Sequence, residues 1–250
     1  MSRIEIRDLH FSYTDGRQDV PALNGVELRV EAGEFLCLIG PSGCGKSTLL
    51  RMLAGLEKPE SGTVCVDGTP ITDPSSDRMI VFQDYALFPW MTAEKNVAFA
   101  LRHGRNMPRQ EAARMAQTYL QKVGMDHAAE RYPFQLSGGM RQRVAIARAL
   151  AMDPEILLLD EPFGALDTKN RTEIQQLLLD LWQRDTGRKK TVVFVTHDLE
   201  EAILLADRVA FMDAGRIRAT VTLELPRPRE PMQVAHWKQR LTGLFEGRTP

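Results

Sequence analysis

Eight residues near position 40 have the types and spacing of a phosphate-binding loop. They read GPSGCGKS, from Gly40 to Ser47, and match the pattern GxxxxGK[ST]. The glycines allow successive backbone N–H groups to turn toward an oxyanion, and the positive end of a following helix strengthens the attraction. Lys46 can reach the terminal phosphates of a nucleotide, and Ser47 can ligate Mg²⁺. We expect a nucleotide site here, although kinases, GTPases, recombinase-type ATPases and transport ATPases all use such a loop.

A pair of carboxylates, Asp160 and Glu161, forms a second chemical element. The pair follows the apolar residues 156–159 and precedes Pro162, which places it at the carboxyl end of a predicted buried strand. Ligands of open α/β sheets bind at that edge. Asp160 is suited to hold Mg²⁺, and Glu161 is suited to polarise a water that attacks the γ-phosphate. A solvated strand end before a turn is the alternative, but the phosphate loop in the same chain favours nucleotide hydrolysis.

A third element begins at Ser137, where two glycines open another predicted helix that can attract an anion. The surrounding residues 131–152 contain four arginines and no acidic residue. One chain thus has two phosphate-binding helix starts but a single phosphate-loop lysine and a single acidic pair. An economical explanation of this pattern is a head-to-tail dimer, in which each nucleotide lies between the loop of one chain and the Ser-Gly-Gly helix of the other.

The elements that must position these residues are indicated by apolar periodicity. Residues 4–6 and 26–30 alternate apolar and polar side chains, as strands with one solvated face do, whereas 35–39 is continuously apolar and typical of a strand covered on both sides. Buried strands that alternate with amphipathic helices predict a parallel sheet flanked by helices. Further predicted elements are a helix over 47–55, hairpin strands after Ser61, a strand MIVFQ ending at Gln83, helices over 92–152, βα units after that, and a short helix near the carboxyl terminus.

The composition excludes some classes of function. The chain has 250 residues and a net charge of -1, which argues against a general nucleic-acid binder because such binding needs a basic excess. The longest apolar runs have five residues, far short of the ~20 that cross a bilayer. We expect any membrane role to depend on a partner. The amino terminus has no signal-peptide pattern and the three cysteines form no paired framework, which favours a cytosolic, reducing environment.

Together these motifs resemble the ATP-binding subunits of ABC transporters, over residues 3–225. The resemblance implies an α/β fold of the P-loop NTPase class, with a RecA-like core, an N-terminal antiparallel β subdomain and a helical ABC subdomain. The implied ATP-binding core with its β subdomain comprises 1–83 and 159–225, and the helical subdomain, which contains the family's signature motif at Ser137-Gly138-Gly139, comprises 84–158. Residues 226–250 would form a linker and a C-terminal helix.

The resemblance also implies roles for single residues. Tyr13 would stack on adenine, Gln83 would contact Mg²⁺ and sense the membrane partner, Asp167 would lie at the dimer seam, and His197 would contact the γ-phosphate. Every motif agrees with an active ATPase. The implied nucleotide-binding residues are Tyr13, Gly40, Pro41, Ser42, Gly43, Cys44, Gly45, Lys46, Ser47, Thr48, Ser137, Gly138, Gly139 and Asp167; the catalytic residues are Lys46, Gln83, Glu161 and His197; the Mg²⁺ ligands are Ser47, Gln83 and Asp160.

Weaker signals indicate which kind of transporter is involved. The segment FPW at 88–90 and the closing LPRPR resemble the nitrate, sulfonate and taurine group of bacterial importers. In this family, sugar-type ATPases usually add a C-terminal regulatory domain, and we expect none here because residues 226–250 are too few to form one. The implied partners are a second copy of the chain, two integral membrane permease subunits and, indirectly, a periplasmic solute-binding protein, with no nucleic acid. The implied location is the cytoplasmic face of the bacterial inner membrane. Trp90 would either dock the membrane subunit or be a buried anchor.

Two other functions are considered. A non-transport ABC ATPase usually carries long coiled-coil inserts or tandem cassettes, and this sequence shows neither. A P-loop small-molecule kinase has no reason to carry LSGGMRQR.

Within the phosphate loop, we expect the helix start and Lys46 to lower the pKa of Cys44, so that its thiol is alkylated readily without ATP.

Overall fold

The computed structural model describes residues 3–16, 18–164, 166–184 and 189–245. The strands are β1 (Ile4–Asp15), β2 (Gln18–Val30), β3 (Phe35–Ile39), β4 (Ser61–Val66), β5 (Thr69–Pro70), β6 (Arg78–Val81), β7 (Ile156–Asp160), β8 (Thr191–Thr196), β9 (Arg208–Asp213) and β10 (Arg216–Thr222). The α-helices are α1 (Lys46–Leu53), α2 (Ala93–Gly104), α3 (Arg109–Lys122), α4 (Gly138–Ala151), α5 (Thr168–Arg184), α6 (Leu199–Leu205) and α7 (Pro231–Phe245).

The chain divides into two compact units, Met1–Pro74 with Arg188–Pro250, and Ser75–Gly187. In the first unit, an antiparallel sheet has the strand order β2-β1-β4-β5. Strand β3 pairs in parallel with β8 on one side and β9 on the other, and β10 closes a hairpin on β9. All five residues of β3 and all six of β8 are buried, as expected for strands covered on both faces.

The second unit combines a parallel strand pair with a helical core. Strands β6 and β7 pair with Val81 opposite Leu159. Helices α2, α3 and α4 contribute small and aliphatic side chains to one apolar cluster, which includes Val97, Leu120 and Val144. Small residues such as Ala112, Ala116 and Ala147 allow these helices to approach closely in that cluster.

The predicted α/β architecture is confirmed, with one local correction. The strand predicted to end at Gln83 ends at Val81, so Gln83 lies in the following turn. The predicted domain limits at 83/84, 158/159 and 225/226 stay predictions. Within 226–250, α7 begins at Pro231, and residues 246–250 lie outside the described residues. In the described part of the chain, no helix is both long and apolar enough to span a bilayer.

Candidate functional site

The phosphate loop connects β3 to α1 in the first unit, and two of its glycines are required by close backbone contacts. A Cβ atom on Gly40 would lie 2.0 Å from the carbonyl oxygen of Met212. Gly45, the N-cap of α1, has a φ of 103°, and a Cβ there would lie 2.3 Å from the carbonyl oxygen of Ala22. Both atoms are backbone and cannot rotate away. The loop therefore takes this shape only with glycine at these positions.

Lys46 is held across the loop by backbone carbonyls. Its ammonium nitrogen donates to the carbonyl oxygens of Gly40, at 2.8 Å, and Pro41, at 2.9 Å. The side chain is buried although it carries a charge. The first turn of α1 contains no acidic residue, and Gly45 offers no side chain to cap it. A fixed cation and an uncapped helix start therefore lie side by side, which is the chemistry of an anion site.

Tyr13 is hydrogen-bonded to the first turn of the same helix. Its hydroxyl lies 3.1 Å from the Thr48 hydroxyl in the first turn of α1, and its ring packs edge-on against Phe11 at 5.0 Å between centroids. The side chain remains 40% exposed. The structure thus brings Tyr13 next to the phosphate loop, with part of its ring available to a planar base, as stacking on adenine requires.

His197 lies at the same sheet edge as the phosphate loop. In the parallel pair, Ile39 at the end of β3 is opposite Thr196 at the end of β8. Gly40 follows the first strand and His197 follows the second, so both lie at the same edge of the sheet. The turn at His197 is fixed by Asp198, whose side chain caps α6 at the N–H groups of Glu200 and Glu201. The His197 side chain is exposed. It is positioned for a ligand that enters from this edge.

In the second unit, the acidic pair and Gln83 share the carboxyl edge of the β6–β7 pair. Val81 and Leu159 are opposite each other, and the chain continues from them to Gln83 and Asp160. Glu161 has a φ of 43°, a left-handed conformation that is uncommon for a residue with a Cβ. The N–H of Gly164 donates to the Glu161 carbonyl at 3.2 Å. A tight turn at Glu161 therefore ends the path of β7.

The signature motif begins α4 in the predicted way. Ser137 is the N-cap, and its hydroxyl accepts from the N–H of Met140 at 3.3 Å. Gly138 is half-buried, whereas Gly139 is buried. A Cβ on Gly139 would lie 3.2 Å from Cγ of Asn170 on α5. Two of the three motif residues are therefore held by helix capping and helix packing.

Asn170 is a functional candidate that sequence reasoning missed. Asp167 precedes α5 and accepts from the Asn170 backbone N–H at 3.1 Å and from its side-chain amide at 2.5 Å. The same Asn170 packs against Gly139. It thus links the predicted seam residue Asp167 to the signature motif. The spacing Asp-x-x-Asn at a helix start, typical of capping, was the available signal.

Arg148 of α4 is a second residue that was missed. Its guanidinium donates to the carbonyls of Ala86, at 2.6 Å, and Tyr85, at 2.9 Å, in the turn after Gln83. Burial lowers the pKa of Arg148, with the nearby Asp84 opposing that effect. Tyr85 and Ala86 have positive φ values of 66° and 45°. Arg148 therefore ties an unusual backbone turn to the helix that carries the signature motif.

The expectation for Cys44 was wrong. Burial raises the pKa of its thiol, and this effect exceeds the opposing influence of Lys46, whose ammonium lies 3.8 Å from the sulfur. The thiol is packed in the loop rather than presented to solvent. For Trp90, the structure removes the buried alternative, since its side chain is 68% exposed and contacts Phe88 at 5.5 Å between ring centroids.

Comparison with protein families and relatives agrees with these motifs. Residues 23–164 match the family described as ABC transporter. The chain is 48% identical, over 88% of its length, to the bicarbonate transport ATP-binding protein CmpC of Synechococcus elongatus, and it spans 34% of that relative. It is 46% identical, over 91% of its length, to the nitrate import ATP-binding protein NrtD of Synechocystis, and it spans 85% of that relative.

A solved structure shares the fold. It is described as a dimeric, post-hydrolysis state of the ATP-binding cassette MJ0796 bound to ADP and Pi. The TM-score is 0.80 at 36% identity, and the match covers 89% of this chain and all of the other. The expected resemblance to nitrate-type ATP-binding subunits is confirmed by the relatives.

Proposed function

We propose, because this chain belongs to the ABC transporter family, that it binds and hydrolyses ATP to drive solute import through separate membrane subunits. The observation that carries this proposal is the phosphate loop. Lys46 is fixed there by two loop carbonyls beside an uncapped helix start. A nucleoside triphosphate supplies the negative charge that this arrangement attracts.

In the proposed reaction, the residues of this chain bind the phosphates, orient the adenine base and activate the attacking water. Lys46 and the loop amides stabilise the charge that develops on the β- and γ-phosphates. Glu161 accepts a proton from the attacking water, and His197 contacts the γ-phosphate. Tyr13 orients adenine. The Ser137-Gly138-Gly139 start of α4 would complete the nucleotide site of a second copy, with Asp167 at the seam of that dimer.

Mg²⁺ fits the proposed ligand set. Ser47, Gln83 and Asp160 offer a hydroxyl, an amide and a carboxylate oxygen, and oxygen donors are those that Mg²⁺ prefers. When bound with ATP, the ion would neutralise phosphate charge and so favour attack by water.

The proposed partners are a second copy of the chain and two membrane permease subunits, supplied with solute by a periplasmic binding protein. The chain would then be peripheral, on the cytoplasmic face of the membrane. The exposed Trp90, which packs on the half-buried Phe88, supports docking to a membrane subunit, because exposed aromatic residues commonly anchor protein interfaces.

The proposed solute is a small anion. Two relatives are described as a nitrate import and a bicarbonate transport ATP-binding protein, and both names denote small inorganic anions. A test is to co-purify the chain with its permease pair, reconstitute the assembly in vesicles, and compare uptake of nitrate, bicarbonate and taurine. Uptake of none of these, with ATP turnover intact, would contradict the solute but not the ATPase.

The ATPase proposal is tested by Glu161→Gln. We expect hydrolysis to fall about 10²- to 10⁴-fold, the usual contribution of a general base, with ATP binding retained and an ATP-bound dimer stabilised. The matched control is Glu130→Gln, an exposed carboxylate of the same unit. Phosphate release measures turnover, and light scattering measures dimerisation. Native turnover in Glu161→Gln would refute the role of this carboxylate.

A further inference from the structure

A cleft of about 830 Å³ lies in the first unit between α6 and α7, and its lining includes no residue of the proposed nucleotide site. We call it the α6–α7 cleft. Its apolar walls include Leu204, Pro231, Val234 and Ala235. This volume is within the range of about 300–1,000 Å³ that is usual for small-molecule sites. The walls therefore suit the hydrocarbon part of a ligand.

Arg229 gives the cleft a buried cation that forms no ion pair of its own with any residue the structure describes. The residue lines the cleft and is only 8% exposed. Its guanidinium donates to the backbone carbonyls of Ile203 and Leu225, and in the described part of the chain its Nε has no hydrogen-bond partner. The nearby Asp207 is paired with Arg227 at 2.7 Å. A buried charge with only neutral acceptors is costly, so an anion beside it would be stabilising.

The pKa of Arg229 supports this reading of its surroundings. Burial, with the neighbouring Arg227, lowers the pKa to about 10, and Asp207 only partly opposes them. The local field at Arg229 is therefore one that favours an added negative charge.

The other charged residues of the cleft leave the balance positive. Lys238 on α7 pairs with Glu200 on α6, with 2.5 Å between Nζ and Oε1. With Arg229, the lining carries two cations and one carboxylate, hence one net positive charge. Gln239 and Thr242 of α7 add polar groups next to them. The cleft thus combines an apolar wall with a single uncompensated positive charge.

We propose that the α6–α7 cleft binds a monoanion with a hydrocarbon body, whose carboxylate or sulfonate lies beside Arg229 and Lys238 and whose body packs on Leu204 and Val234. The site is independent of the ATP chemistry, since none of its lining residues belongs to the motifs of the proposed nucleotide site. A ligand there contacts both α6 and α7, and would stabilise the docking of the C-terminal helix.

The probe for this site is 8-anilinonaphthalene-1-sulfonate, an aromatic monoanion that fluoresces in apolar surroundings. Titration of the full chain, with saturating MgADP to occupy the phosphate loop, should show one saturable site. Hexanoate should displace the probe. Hexylammonium, which has the same chain length and the opposite charge, should fail to displace it at equal concentration.

Two exposed positions test the location without altering the protein core. Ala235→Trp places an indole in the cleft and should weaken probe binding at least tenfold. Lys238→Gln lowers the net charge of the cleft lining from +1 to zero and should weaken probe binding about fivefold. Arg240→Gln is the matched control, because it removes one positive charge from the same helix at a residue that packs on Trp237 outside the cleft. Its affinity should stay within twofold of the native chain.

Circular dichroism and thermal unfolding will establish that each variant is folded. Native affinity in Ala235→Trp would overturn the location. Equal displacement by hexanoate and hexylammonium would overturn the anion preference.

Discussion

The helix starts at α1 and α4 are both flanked by glycine, yet they are prepared differently for an anion. At α1 the N-cap is Gly45, which provides no side chain, and the ammonium of Lys46 is held in place by carbonyls. At α4 the Ser137 hydroxyl already accepts a backbone N–H, and the nearby Arg141 guanidinium lies over the ring of Tyr85 at 5.6 Å. We therefore expect the α1 start to hold a phosphate by itself, and the α4 start to contact a phosphate that is held elsewhere.

The test of this comparison with the largest expected effect is the substitution Lys46→Ala. Loss of the positioned cation should reduce ATP turnover about 10²- to 10³-fold, as for loss of one oxyanion donor, and should also weaken nucleotide binding. Lys58→Ala, at an exposed residue of the same unit, is the charge-matched control. Phosphate release and fluorescent-nucleotide titration are the measurements. Unchanged binding in Lys46→Ala would mean that the α1 start does not depend on its lysine.

Alanine at a glycine of the phosphate loop and at a glycine of the α4 start separates rigid from adaptable packing. Gly40→Ala drives a Cβ against the Met212 carbonyl and should cost about 3 kcal/mol of unfolding free energy. Gly139→Ala meets the side chain of Asn170 and should cost under about 1 kcal/mol. Urea denaturation measures both. Adding Asn170→Ala to Gly139→Ala should recover the loss, and equal costs at the two glycines would contradict the distinction.

Removal of the α4 cap has a smaller effect. Ser137→Ala leaves the Met140 N–H without its acceptor and should lower the unfolding free energy by about 1 kcal/mol. ATP affinity of the isolated chain should be unchanged, because in the proposed site α1 and its loop make the contacts of the same chain with ATP. Ser137→Thr keeps the hydroxyl and should lie within a few tenths of the native value, about 0.3 kcal/mol. A drop in monomer ATP affinity would end the proposed division of roles.

The last test concerns Cys44, in the loop that precedes α1, and involves no loss of stability or turnover. Since burial raises the pKa of this thiol, its thiolate fraction should still be rising between pH 7.5 and 9. The alkylation rate with iodoacetamide should therefore increase up to about tenfold per pH unit over this range. Mass spectrometry of the Cys44 peptide measures the rate, with the half-buried Cys65 as internal reference. A plateau below pH 8 would indicate a lowered pKa instead.

Local spacing was sufficient to predict the main elements and their motifs. The phosphate loop, the ILLLD strand and the Ser137 helix cap each depend on neighbours within a few residues, and these were found where the sequence indicated. The end of β6 was misplaced by two residues, because Phe82 and Gln83 leave the strand where the pairing with β7 stops.

Contacts distant in sequence were not predictable in this way. The packing of Asn170 against Gly139 and the bonds from Arg148 to Tyr85 and Ala86 depend on how helices and turns meet in the folded unit. The predicted direction of the Cys44 pKa shift was wrong for the same reason. A nearby lysine is visible in the sequence, but the burial that outweighs it is not.

The left-handed backbone at Glu161 carries a consequence for protein engineering. In this conformation, a residue with a Cβ lowers the free energy of unfolding by an amount on the order of 1 kcal/mol, and glycine would relieve that strain. A screen for thermal tolerance alone would therefore enrich glycine at position 161 and discard the proposed base. Selection for stability and selection for turnover would drive this position in opposite directions, so the residue recovered there reports which pressure was applied.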